Sequence, residues 1–274
     1  MSPLLRHRGA LVGAAIVLVL GVVALFAPWL APHDPDAMRL GENLRPPSWA
    51  HPFGTDSLGR DVLSQVMFGA RISLVIGAVS VGLALLGGVP IGLVAGFAGG
   101  WLDRLTMRLV DILVSFPTIL LAIIVITIFG PGLRNAMIAI GIAQVPLYAR
   151  LTRGAVLKVK ALDYVLAARA SGARESRVLW RHVVPNCLPP LLVQSTLFFA
   201  TAILSAAYLG FLGLGAQPPT AEWGTMLSKA RDFLRVVAPH VSIFPGFTIM
   251  VTVIGLNLLG DGLRDVLDPR TRVA

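Results

Sequence analysis

The sequence predicts an all-α membrane protein with six transmembrane helices. Three observations carry this. First, 55% of the 274 residues are hydrophobic and only 14% charged, with a mean hydropathy of +0.78; a soluble domain has roughly 45–50% and 25%. Second, the apolar residues gather in runs near the ~20 residues that cross a hydrocarbon layer. They lack the strict alternation of a membrane β-barrel, so helices must satisfy the backbone in lipid. Third, the charges fall in clusters between those runs. The apolar content excludes a disordered chain. A single cysteine, Cys187, excludes a disulfide scaffold.

The first run covers residues 10–30 and the second 72–97, both without charge. The third, 112–129, is interrupted by Pro117, and Asp111 marks its end. The fourth, 136–149, is shorter and carries Gln144 and Pro146. The fifth is 188–214, and the sixth 241–259 has Pro245 near its start. Arg6, His7 and Arg8 could head a signal peptide, but a signal h-region spans about 7–15 residues and the first run is longer. Its end, Phe26-Ala-Pro-Trp29, suits an interfacial anchor better than a cleavage site. The prolines would bend their helices, and the glycines of 82–100 would allow close helix contact.

With six crossings, fifteen of the 23 Lys and Arg fall on the side of both termini, and acidic residues split evenly, seven to a side. The positive-inside bias therefore puts both termini in the cytoplasm. It also explains the net charge of +9 without nucleic acid, and no basic and aromatic cluster forms a base-stacking platform. No Asp, Glu, Lys or Arg lies mid-span, which argues against an ion-coupled pump.

Signals for chemistry in this chain are missing. A nucleotide phosphate loop needs Gly-Lys before Ser or Thr, but Lys158, Lys160 and Lys229 follow Leu157, Val159 and Ser228. Gly210-Phe-Leu-Gly-Leu-Gly215 has glycines but no soluble strand before it. The histidines at 7, 33, 51, 182 and 240 are scattered without metal-ligand spacing, and His33 with Asp34 reads as a solvated loop. No nucleophile motif is present. The expectation is a non-catalytic chain with no catalytic residue, cofactor or metal of its own.

The stretch between runs four and five is the most informative. Asp163 suits a helix N-cap, 164–171 a short helix, and Gly172 the left-handed residue that closes it. Residues 173–182 read as a second helix ended before Pro185. Ala167, Ala168, Ala170, Ser171 and Gly172 are small, so a backbone could press close to another surface. Arg169, Arg174 and Arg177 could pair with a partner's carboxylates. Spacing alone leaves two readings, a docking surface or a basic loop near anionic lipid.

This loop resembles the signature loop of the membrane subunits of bacterial ABC importers: Glu-Ala-Ala, three residues, Gly, nine residues, Ile-x-Leu-Pro. Leu166-Ala167-Ala168, Gly172 and Pro185 match that spacing, while Leu166 stands for Glu and His182-Val-Val184 for Ile-x-Leu. Further segments resemble the peptide and nickel permease group. They are His51-Pro-Phe-Gly-Thr-Asp-Ser-Leu-Gly-Arg-Asp61, Gly69-Ala-Arg-Ile-Ser73, Phe211-Leu-Gly-Leu-Gly-Ala-Gln-Pro-Pro219, Glu222-Trp-Gly-Thr-Met226 and Leu259-Gly-Asp-Gly-Leu-Arg-Asp-Val-Leu-Asp-Pro269. Together with Pro185-Asn-Cys-Leu188 they look like C-type permease subunits of dipeptide importers, with glutathione and nickel permeases as alternatives.

The resemblance implies a type I ABC importer permease fold. Residues 1–71 would hold a cytoplasmic stub, the first span and an outer segment; 72–274 would hold a five-helix core with a coupling loop at about 150–189. It implies a heterodimer with a second permease subunit, two ATPase subunits carrying ATP and Mg, an extracytoplasmic substrate-binding protein and a peptide substrate, all in membrane lipid. The ATPase-docking loop would comprise Asp163, Tyr164, Val165, Leu166, Ala167, Ala168, Arg169, Ala170, Ser171, Gly172, Ala173 and Arg174. The binding protein would meet outer segments 31–71 and 216–240, where Trp49, Trp223, Lys229 and Arg231 are expected to be exposed.

Overall fold

The computed structural model describes residues 8–231 and 238–267. The sequence features at Arg6, His7, Arg235, Asp268 and Pro269 lie outside them. The described residues form helices joined by loops, with no strand beyond one isolated bridge between Thr55 and Asp61.

Helix α1 (Arg8–Leu30) lies along α10 (His240–Leu267). Small residues let the backbones touch: a Cβ on Gly13 would fall 2.6 Å from Gly255 O. Ala10 packs on Gly262, so α1 begins and α10 ends on one face of the molecule. Helix α2 (Val62–Ala98) starts ahead of its apolar run. Asp61 caps it, accepting from Ser64 N, so the helix grows out of the preceding loop. The glycine-rich half of α2 presses on α5 (Leu133–Lys160): a Cβ on Gly92 would fall 2.4 Å from Ala149 O.

The third run is not one straight helix. Its first three residues end α3 (Gly100–Val114) and, past a break at 115–117, its remainder forms α4 (Thr118–Phe129), the two helices being bent by 90°. The Ser115 hydroxyl donates to Ile112 O at the end of α3, and Pro117, with its fixed φ, starts the new direction. α3 is amphipathic: Trp101, Leu105, Leu109 and Ile112 are exposed, while Asp103 turns to Arg153 of α5.

Among the described residues, four helices are long and apolar enough to cross a membrane: α1, α2, the continuous helix Glu175–Phe211 and α10. The bent α3–α4 pair makes five if it counts as one span. Helix α5 falls short of that measure because its apolar stretch gives way to Arg150, Arg153, Lys158 and Lys160. It lies against α2 instead, with Ala139, Tyr148 and Ala149 fully buried.

Glu175–Phe211 comprises α7 (Glu175–Val178), a π-turn (Leu179–Val183) and α8 (Val184–Phe211). Here the expected stop before Pro185 is corrected: the chain stays helical through it. Pro185 sits in the first turn of α8, after a widened turn in which Val184 N–H donates to Leu179 O, so the missing N–H does not break the helix. α8 ends at Phe211, short of residue 214, because Gly213 takes φ +77. Helix α9 (Trp223–Ala230) follows, on the face opposite the start of α1.

Candidate functional site: the α6 loop

Helix α6 (Asp163–Ala170) stands between α5 and α7. Leu162, not Asp163, occupies its N-cap, and no side chain caps it; Asp163 is instead the acidic residue of the first turn, where it suits the helix dipole. The C-terminal end follows the expectation. Gly172 has φ +81, Ala173 N donates to Ala168 O and Gly172 N to Arg169 O, the paired bonds of a Schellman cap.

Only Val165 of α6 is buried. It joins the main core beside Val178 and Val183, so the short helix is pinned to the head of Glu175–Phe211 by one apolar side chain. Tyr164 adds a ring contact with His182, 6.0 Å between centroids. The other face carries Leu162, Leu166 and Ala170, spaced four apart and all exposed, with Ala167, Ser171 and Gly172 exposed beside them. Ala168 and Ala173 are half-buried, and Arg174 is exposed. Arg169 is turned inward to Glu175, at 2.9 Å, and lies 5.8 Å from the Phe97 ring.

Lys160, one turn before α6, reaches the end of α2. Its Nζ donates to Gly96 O at 3.2 Å and Phe97 O at 2.7 Å, which satisfies two of the carbonyls a helix end leaves free. Two ion pairs, Arg153 with Asp103 and Arg150 with Asp111, fix α3 to α5 nearby. The sequence reading missed Lys160 as a link between helices. Its position at the end of a basic helix was visible; the free carbonyls 64 and 63 residues away were not.

The opposite face is better ordered than its loop-like sequence suggested. Arg60 is buried against Asp56, which also takes the Gln65 amide. Lys229 lies beside this group; burial, then the Arg60 charge, lowers its pKa. Trp223 is corrected from the exposed set: it is 1% exposed and its indole N–H donates to Val66 O. Trp49 and Arg231 are exposed. Glu222 caps α9 through Gly224 N and Thr225 N, and burial pushes its carboxyl above the usual glutamate range. His33, read as solvated, stacks on His51, whose Nδ1 lies 2.9 Å from Asp61 Oδ1. The loop folding back on α2 brings together residues that sequence spacing scatters.

Residues 88–273 match the family model for the binding-protein-dependent transport system inner membrane component, and residues 2–47 that for the N-terminal TM domain of oligopeptide transport permease C. The chain is 50% identical to the di/tripeptide transport system permease protein DppC of Pseudomonas aeruginosa, covering 98% of this chain and 90% of the relative. It is 46% identical to the dipeptide permease DppC of Alkalihalophilus pseudofirmus, over 97% and 88%. A glutathione permease of Escherichia coli, GsiD, is 47% identical over 97% and 88%. Among solved structures, the inward-facing MetNI methionine ABC transporter matches with a TM-score of 0.62 and 21% identity, over 75% of this chain and 97% of that one. The fold is that of a type I ABC importer permease, and the chain belongs to the family of binding-protein-dependent transport system inner membrane components, as a multi-pass permease subunit and not a catalytic one.

Proposed function

We propose that this chain is one half of the conduit of an ATP-driven importer of dipeptides or short peptides. The names and near full-length match of its 50% and 46% identical relatives support the substrate class. Its partners are a second permease subunit, two cytoplasmic ATPase subunits that carry ATP and Mg, and an extracytoplasmic binding protein. The charge bias supports both termini in the cytoplasm, which makes the α6 face the inner one.

The observation that carries the mechanism is the two-sidedness of α6. Val165 is its one buried anchor, helped by Tyr164 on His182 and Arg169 on Glu175, and its small and apolar remaining face is left uncovered. That face would seat in a groove of an ATPase subunit through residues 163–174. Closure of the ATPases on ATP would shift α6. Val165 would pass the shift to Glu175–Phe211, and Lys160 to α2, as a rigid-body change between inward- and outward-facing states. Leu166 replaces an ion-pairing residue with apolar contact area. The binding protein would dock on segments 31–71 and 216–240, around Trp49.

The test is uptake by the four-subunit complex in proteoliposomes, supplied with its binding protein. Labelled dipeptide should enter only with ATP. Uptake that needs no ATPase and collapses with an ion gradient would defeat the reading. The 47% identical glutathione permease favours a second reading, decided by labelled glutathione in the same assay; labelled nickel serves for the remaining alternative.

A further inference from the structure

We propose that His33, His51 and Asp61 form a binding site for a divalent transition-metal ion of the zinc class, on the face opposite α6. One donor atom from each lies within 4.8 Å of the others. His51 Nδ1 is 2.9 Å and His33 Nδ1 3.8 Å from the same oxygen, Asp61 Oδ1. Tetrahedral bonds of about 2.0–2.2 Å separate ligand atoms by roughly 3.3–3.5 Å. For these two pairs an ion needs one contact to open and the other to close by roughly half an ångström; the two imidazole donors, within 4.8 Å of one another, must also settle to the tetrahedral spacing.

The second observation is an orphan. His33 Nδ1 is buried, faces this oxygen and has no hydrogen-bond partner. The two rings stack at 28°, so the His33 ring must tilt to aim at a shared ion. That ring sits on a loop and is partly exposed, whereas Asp61 and His51 are buried and fixed. Supporting groups are in place. Asp61 Oδ2 accepts from Ser64 N at 2.8 Å and Ser64 Oγ at 2.7 Å, so an ion on Oδ1 would replace only its 2.9 Å hydrogen-bond contact with His51 Nδ1. Binding through His51 Nδ1 needs the tautomer protonated on Nε2, and Glu42 Oε2 lies 3.5 Å from Nε2 to receive it. A carboxylate behind a ligating imidazole is the usual outer shell of such sites.

Two neutral imidazoles and one carboxylate suit Zn²⁺ and its neighbours, not Ca²⁺ or Mg²⁺, which take oxygen ligands. The open edge beside His33 leaves a coordination position to water, so the ion would clamp the segment after α1 to the start of α2. The site is independent of the peptide reading.

The experiment uses the full chain in nanodiscs, purified without a polyhistidine tag. Zn²⁺ titration by calorimetry should give one site that excess Mg²⁺ does not displace. Co²⁺ should bind there with a d–d spectrum and paramagnetically shifted imidazole signals. His33→Ala leaves the Asp61–Ser64 cap intact and should weaken Zn²⁺ binding at least ~10-fold, since losing even an outer-shell partner costs that much. Equal Zn²⁺ affinity in the variant, or no Zn²⁺ binding by the native chain, would overturn the proposal. If the variant misfolds, the Co²⁺ spectrum of the native chain decides: imidazole-shifted signals support the site and their absence overturns it.

Discussion

Gly172 combines two properties that matter separately. Its φ of +81 disfavours most side chains, yet nothing lies within 4 Å of where a Cβ would stand. Asn tolerates the left-handed region and Val does not, so Gly172→Val should cost roughly 1–2 kcal/mol locally and Gly172→Asn less. Both put bulk on the surface proposed to dock. Both should insert normally into the membrane but lower substrate-stimulated ATP hydrolysis by the assembled complex; normal stimulation in both would argue against docking there. Glu222 offers a second residue-scale test. Burial raises its pKa, so the folded chain keeps the proton to higher pH than the unfolded one. Its contribution to stability is full below the ordinary glutamate pKa and is lost as pH rises through the raised value. Glu222→Gln should remove that dependence on pH at the cost of one cap bond, since Gly224 N and Thr225 N donate to different oxygens of Glu222 and the amide offers only one; thermal melts of both proteins across acidic to neutral pH measure the difference in slope.

Among the elements, α6 shows how far local sequence reaches. The Gly172 cap and the short helix before it were legible because they are made by neighbours in the chain. The N-cap was misplaced by one residue, since Asp163 serves the first turn equally well from inside it. What sequence could not show was the attachment: Val165 is one apolar residue among several, and only the fold buries it. Val165→Ala removes two carbons from the core and should cost about 2 kcal/mol. The expected signature is uncoupling, with ATP hydrolysis kept and peptide uptake lost, read in the same vesicles. The third span failed differently. Pro117 announced a bend, but its 90° angle depends on α3 turning its apolar face outward while Asp103 is held by Arg153. Likewise, the proline at 185 suggested an end, and the π-turn before it absorbed the missing donor.

For the whole molecule, the length and pattern of the apolar runs sufficed to find the all-helical class. The fourth apolar run marks only the first half of α5; the basic second half continues the same helix toward α6. Orientation can be tested in a Cys187→Ala background. Ser171→Cys should react with an impermeant maleimide only from the cytoplasmic side, and Trp49→Cys only from the outside; the reverse pattern would invert the topology. The purified chain alone should release no phosphate from ATP, and measurable release that follows the chain through purification would contradict a conduit whose motor is separate.

Helices α2 and Glu175–Phe211 each have 37 residues. At 1.5 Å per residue each is about 55 Å long, against a hydrocarbon layer of ~30 Å. They run in opposite directions, so one overhangs toward the Asp61 end and the other toward α6. A tilt of the pair about the mid-plane therefore swings both overhangs at once, in opposite senses, like the two handles of a pair of shears. If the pair tilts as one body, as the proposed rigid-body change requires, a displacement at the Asp61 end is accompanied by an opposite displacement at the α6 end.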